Sequence, residues 1–389
     1  MFEITKEEGK SRVGILKTRR GDVVTPFFMP DATRASVRGL TNEQLRSAGI
    51  NPMVVNTYHL LLQPAMELMK NAGGVHKFMN WDGPLLSDSG GYQVYSLIHK
   101  NSKLGKITEE GAVFRSVLDG SKHLLTPERS IQIQFDLGVD MMVVLDDPRP
   151  VGVPRKEHEK AVARTLRWAK RCLIEYNKQC AERGLSSKTR PLIFCVVQGG
   201  SYVDLREKCA NGLREIEISG KNEGLAFGWD GYSFGGRHID DNGNLMEEII
   251  ESTASFIPKD VPRFALGIGT PDDIAKCHNV GWDMFDCVIP TREGRHGRLF
   301  VMKDEEVLDS RLRENDNSSE FYETINIANA QFKQDFTPID SECDCYACKN
   351  YTKAYLHHLF RVNEPLGAQM AALHNLRFFV QLMSKLQNK

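Results

Sequence analysis

Three stretches set aspartates among small or polar residues: Ser87-Asp88-Ser89-Gly90-Gly91-Tyr92, Leu145-Asp146-Asp147-Pro148 and Phe285-Asp286-Cys287. Each follows or ends a short apolar run. A carboxylate held at such a place can attack carbon as a nucleophile, and a second can carry a proton to or from the leaving group. A single aspartate there could equally cap the helix that follows, which is the alternative reading of Asp88 or Asp146 taken alone. Acids at the ends of three separate runs point instead to shared chemistry. Gln198-Gly199-Gly200, Gly235-Gly236 and Gly267-Ile268-Gly269-Thr270 add a side-chain amide and several glycines, which let a flat ligand approach the backbone. None of the glycine pairs has the spacing of a dinucleotide or Walker loop, so a nucleotide cofactor is not indicated.

A second chemistry lies near the C-terminus. Cys343-x-Cys345-x-x-Cys348 is followed by His374 inside the apolar helical pattern Ala371-Ala372-Leu373-His374-Asn375-Leu376. His374 by itself would read as a core histidine. Beside three clustered thiols it completes a tetrahedral zinc set, and four protein ligands leave no open position, so the metal would be structural. The other cysteines stand singly in apolar contexts such as Phe194-Cys195-Val196, as reduced core thiols do.

The elements that must position these residues follow from periodicity. Eight short β-rich runs, at 27–29, 53–55, 84–86, 141–145, 192–197, 231–234, 264–268 and 284–289, alternate with segments of helical period. That alternation predicts an α/β fold, a (β/α)8 barrel, whose chemistry gathers at the C-terminal ends of the strands. Thr41 with Gln44 fits a capping box, and Thr126-Pro127-Glu128 and Thr270-Pro271-Asp272 each set proline at a helix start. We expect a catalytic barrel over 1–310 and a zinc-binding subdomain with C-terminal helices over 311–389, with the polar stretch 311–320 as a mobile insertion.

Bulk properties set the boundaries of function. The chain has 389 residues, 41% hydrophobic and 26% charged, with formal net charge −1. No run approaches the ~18 to 20 apolar residues of a membrane helix, and MFEITKEEGKSR lacks the apolar core of a signal peptide, so no membrane and a cytoplasmic location are expected. A near-neutral chain must hold nucleic acid through local basic patches. Two exist, at 291–298 with Arg292, Arg295 and Arg298, and at 349–361 with Lys349, Lys353 and Arg361.

With Asn56-Thr57-Tyr58-His59-Leu60, Asp119-Gly120-Ser121-Lys122-His123, Leu125-Thr126-Pro127-Glu128-Arg129 and Asp283-Met284-Phe285-Asp286-Cys287-Val288-Ile289-Pro290-Thr291-Arg292, these motifs span nearly the whole chain. The sequence resembles the tRNA-guanine transglycosylase family, also called queuine tRNA-ribosyltransferase. The resemblance implies exchange of the guanine at the wobble position of a tRNA anticodon for a 7-deazaguanine base. Asp286 is then the nucleophile on C1′ of the ribose, and Asp88 the general acid/base. Asp146 and Gln198 read the edge of the base, Tyr92 stacks on it, and Ser89, Gly235, Gly236, Leu266 and Gly267 complete the slot. Arg292 and Arg295 match a tRNA-contacting loop, and the family generally forms homodimers. Two departures concern the 7-substituent: Leu145-Asp146-Asp147-Pro148 is closer to the eukaryotic Leu-Asp-Asp, and Arg237-His238-Ile239-Asp240-Asp241 follows Gly236. The first hints at queuine, whereas the larger Ile239 favours the small aminomethyl group of preQ1. The competing readings are base exchange in DNA and a noncatalytic partner subunit, against which the retention of Asp88 and Asp286 speaks.

Overall fold

A computed structural model of the chain describes residues 2–150, 152–303 and 321–388. Its centre is an eight-stranded parallel sheet. The strands are β1 (Phe27–Pro30), β2 (Met53–Val55), β3 (Leu85–Ser87), β4 (Met141–Val143), β5 (Leu192–Val197), β6 (Gly231–Phe234), β7 (Arg263–Ala265) and β8 (Met284–Cys287). They pair in the circular order β1-β8-β7-β6-β5-β4-β3-β2. The ring closes where Asp31 bridges Val54 in parallel and the Ala32 N–H donates to the Val54 carbonyl at 2.7 Å. The fold is thus the expected α/β barrel.

Local chemistry explains why these segments become strands. The run Leu-Ile-Phe-Cys-Val-Val of β5 is buried on both faces, as a parallel strand covered by helices must be. Helices set off where their caps predict. The Thr41 hydroxyl and the Gln44 side chain form a reciprocal capping box. Thr126 and Thr270 accept from the backbone N–H of Arg129 and Asp273, each with proline in the first turn.

Three antiparallel pieces decorate the barrel and were not expected from the apolar runs. Phe2–Glu8, Ser11–Thr18 and Gly21–Thr25 form a sheet at the N-terminal end of the barrel. From it the buried Arg12 forks onto Asp283, with Nε 2.9 Å from Oδ1, just ahead of β8. A second sheet, Gly105–Ile107 with Ala112–Arg115 and Lys122–Leu125, is inserted after β3. Beyond β8 come the helix Ile289–Arg295 and a hairpin of Arg298–Met302 with Tyr322–Asn326. The insertion expected at 311–320 and the boundary between 310 and 311 lie outside the described residues.

The chain ends in the long helix Pro365–Gln387, which lies against β1 and the helix Ile289–Arg295. Its Phe379 ring sits 4.7 Å from that of Phe28. Its backbone at Ala371 and Ala372 runs so close to Gly294 that any Cβ there would lie 2.7 Å from Ala372.

Candidate active site

The C-terminal ends of the strands surround a cavity of about 530 Å³. Asp88, Asp146 and Asp286 all line it, as do Ser89, Tyr92, Gly235, Gly236, Leu266 and Gly267. The acids expected from the sequence, Asp88, Asp146 and Asp286, are therefore brought together. Of the doublet at 146 and 147 only Asp146 faces the cavity. Asp147 is buried on the far side, where Arg149 and Arg164 bind its Oδ2 at 2.9 and 2.5 Å.

Asp88 follows β3 and is held from three sides. Its Oδ1 accepts from the N–H of Thr57 at 3.0 Å and of Gly90 at 3.2 Å, and Asn56 Nδ2 donates to Oδ2 at 2.5 Å. The carboxyl does not cap the helix that follows, whose N-cap is Gly90 with no side-chain cap; it receives the first amide of the helix after β2 and faces the cavity. Burial pushes its pKa up to about 7, against the lowering effect of the Thr57 amide and with a further push from Asp31. At neutral pH such a group both gives and takes a proton readily.

Asp286 sits within β8, opposite Met29 of β1. The Gly267 N–H donates to its Oδ1 at 2.7 Å. That geometry depends on Gly267, which turns after β7 with φ +76°, a conformation most side chains disfavour. Burial raises the Asp286 pKa well above the usual carboxylate range, and the charges of Asp31 and Asp88 add to it.

Across the ring, Gln198 at the end of β5 donates from Nε2 to Asp146 Oδ2 at 2.6 Å. Gln198 is buried and does not itself line the cavity, so it acts at the wall through Asp146. Burial pushes the pKa of Asp146 up to about 6, against the pull of the Gln198 amide. Gly235 lets these groups fit: a Cβ there would lie 2.6 Å from Gln198 Nε2 and 2.5 Å from Val196 Cγ1. Behind the wall the fully buried Arg206 donates to the carbonyls of Gly200, Val197 and Gly235 at 2.8, 3.1 and 3.2 Å.

Ser89 is buried, and its Oγ accepts from the Gly91 N–H at 3.2 Å. Tyr92, in the first turn of the helix Gly91–Lys100, is 60% exposed and stands at the mouth. Pro148, Arg237, His238 and Ile239 line the same cavity, and burial followed by the charge of Arg237 drives the His238 pKa down to about 4. Arg292 and Arg295 lie on the helix Ile289–Arg295, not on a loop, because β8 ends at Cys287 and Pro290 sits in the first turn of a helix. Arg292 is exposed beside Glu293, and Arg295 is half-buried.

One acid escaped the sequence reading. Asp31, just beyond β1, lines the cavity with the others, and burial raises its pKa. The signal was available: the residue after the first strand stands on the same rim as those after the other seven.

Away from the cavity, one ligand atom each of Cys343, Cys345, Cys348 and His374 lie within 4.8 Å of one another. His374 Nε2 is 2.7 Å from the Phe300 carbonyl oxygen, and Nδ1 lies 3.3 Å from Cys348 Sγ and 3.8 Å from Cys345 Sγ. A proton on Nε2 donated to that carbonyl leaves the Nδ1 lone pair free toward the thiols, the arrangement expected of a metal-binding histidine. This buried donor set fits one tetrahedral metal ion.

A closed (β/α)8 barrel with opposed acids and an amide on its C-terminal rim is the architecture of a barrel enzyme. A family model described as queuine tRNA-ribosyltransferase matches residues 7–389. The queuine tRNA-ribosyltransferase of Thermoanaerobacter pseudethanolicus is 38% identical over 388 residues, covering 99% of this chain and 92% of that protein. That of Aliivibrio fischeri is 40% identical over 386 residues, with coverage of 99% and 92%. The protein of the same name from Staphylococcus aureus is 40% identical over 383 residues, covering 98% and 90%. The chain belongs to the queuine tRNA-ribosyltransferase family and is a pentosyltransferase. Among the described residues no helix is long and apolar enough to cross a membrane.

Proposed function

We propose that this protein exchanges the guanine at the wobble position of a tRNA anticodon for a 7-deazaguanine base through a covalent intermediate on Asp286. The observation that carries the reading is the convergence, in one cavity, of Asp286, Asp88 and Asp146, the last of them bonded from behind by Gln198. In the first half-reaction an Asp286 oxygen bonds to C1′ as the C1′–N9 bond breaks, and Asp88 gives its proton to the departing guanine. In the second, Asp88 takes the N9 proton of the incoming base, N9 bonds to C1′ and the Asp286 carboxylate is released. Two displacements at one anomeric carbon retain its configuration, as in retaining glycosidases.

Asp146 accepts from the N–H groups of the base edge, while Gln198 fixes its orientation. Tyr92 stacks at the mouth, and Ser89, Gly235, Gly236, Leu266 and Gly267 form the remaining walls. A base swung out of its loop offers that edge free. Arg292 and Arg295 meet the tRNA backbone. The Cys343, Cys345, Cys348 and His374 set holds structural zinc, the ion its thiolate-rich donors favour. The family resemblance supports a homodimer in the cytoplasm, with a barrel over 1–310 and a zinc-binding subdomain over 311–389.

For the inserted base, Ile239 on the cavity wall favours a small 7-substituent such as the aminomethyl of preQ1 and outweighs the hint of queuine in Asp146-Asp147-Pro148, because a steric block costs more than a lost contact gains; queuine is the second choice. Comparing kcat/KM for preQ1, preQ0 and queuine on one tRNA tests this, and a clear preference for queuine would reverse it. The covalent step is tested with Asp286→Asn, which should fold yet form no denaturation-resistant adduct with tRNA. Adduct at wild-type levels would remove Asp286 from the role.

A further inference from the structure

The strand order divides the rim of the cavity into two arcs. The arc from β4 to β7 carries Asp146, Gln198, Gly235-Gly236 and Leu266-Gly267, the groups assigned above to the base. The other arc, β8-β1-β2-β3, carries in turn Asp286, Asp31, Asn56 and Asp88. If the base fills the first arc and C1′ lies between Asp286 and Asp88, the sugar must lie over the second. There Asn56 is already committed, its Nδ2 bonded to Asp88 and its Oδ1 to the His59 N–H. Asp31 is not. Among the described residues its carboxylate has no hydrogen-bond or ion-pair partner, and it lies close enough to Asp286 and Asp88 for its charge to act on both.

From this placement we infer that Asp31 is a third carboxylate of the catalytic centre, which accepts a hydrogen bond from the 2′-hydroxyl of the target ribose and so makes the enzyme select ribose over deoxyribose. The inference rests on the function proposed above. A carboxylate is an acceptor only, and the hydroxyl adjacent to C1′ is the donor that a bound nucleotide brings to this arc. The bond strengthens as positive charge builds on the sugar in the transition state, as 2-hydroxyl contacts do in glycoside cleavage. A deoxynucleotide has no such donor and would cover the half-buried Asp31 carboxylate without pairing it.

The test compares guanine exchange in two anticodon stem-loop RNAs that differ only in guanosine or 2′-deoxyguanosine at the target position. Wild type should favour the ribonucleotide in kcat/KM. Asp31→Val, a smaller side chain without an acceptor, should shrink that preference by about tenfold or more, the order of one charged hydrogen bond. The loss should fall on kcat for the ribonucleotide, with KM for the base unchanged. Asp31→Asn, a neutral acceptor, should retain part of the preference, and it supplies the ratio if Asp31→Val does not fold. A preference left at the wild-type value in the variants overturns the role of Asp31 alone. Failure of the wild type to exchange guanine in either RNA overturns the function itself.

Discussion

Asp88 shows how one residue serves two masters. Thr57 and Gly90 offer it amides, which favour its charged form, yet its burial outweighs them and leaves it close to half-protonated at neutral pH. Removing its proton-carrying capacity with Asp88→Asn should slow exchange by roughly 10²- to 10⁴-fold while leaving tRNA affinity nearly intact. Unchanged turnover would exclude it as the acid/base. The same raised pKa has a cost for stability. A carboxyl whose pKa is higher folded than unfolded contributes stability that is full below the unfolded value of 3.8 and is lost as pH rises through the folded value of about 7. Asp88→Asn should therefore gain in Tm over wild type as pH increases from about 4 to 8, and a Tm difference that is flat with pH would refute the shift. At this scale the sequence was legible where an acid followed a recognised run, as for Asp88, Asp146 and Asp286. At the doublet, spacing alone does not say which member turns inward; the family resemblance singled out Asp146, and helix Arg155–Glu182 supplies the Arg164 that holds Asp147 away.

Among the elements, the eight barrel strands were legible because each must be apolar on both faces, a pattern that needs no partner to be seen. Their ends were less so. Val144 and Leu145 are buried without belonging to β4, and Ile289 continues the apolar run of β8 as the first residue of a helix. The antiparallel pieces escaped because strands such as Phe2–Glu8 expose most of their residues and carry charges, so they read as polar surface. The slot between β5 and β6 rests on backbone approach, which glycine permits and composition cannot display. Gly235→Ala should push against Gln198 and Val196 and weaken base binding, raising the KM for the base by roughly 5- to 150-fold, since overpacking costs about 1–3 kcal/mol. Its tRNA affinity should stay close to wild type. A normal KM for the base would mean that the Asp146–Gln198 pair is not part of the slot.

For the molecule as a whole, the C-terminal region belongs to the barrel in space although it is remote in sequence. His374 faces the cysteines, and its neighbour Asn375 binds the Phe300 N–H and the carbonyls of Pro290 and Arg298 at 3.1, 3.0 and 2.9 Å. If the four donors share one zinc, metal analysis should give about one ion per chain, and Cys345→Ala should lower both metal content and Tm. A metal-free wild type of full stability would refute it. The pairing of His374 and Asn375 on one helical turn means that a metal held by the four donors and the segment just after β8 would be moored to the same post. Chelation should then loosen the grip on the polynucleotide before it disturbs the grip on the free base: affinity for tRNA would fall first, with Arg292 and Arg295 swinging off their mark, while the slot still holds its ligand.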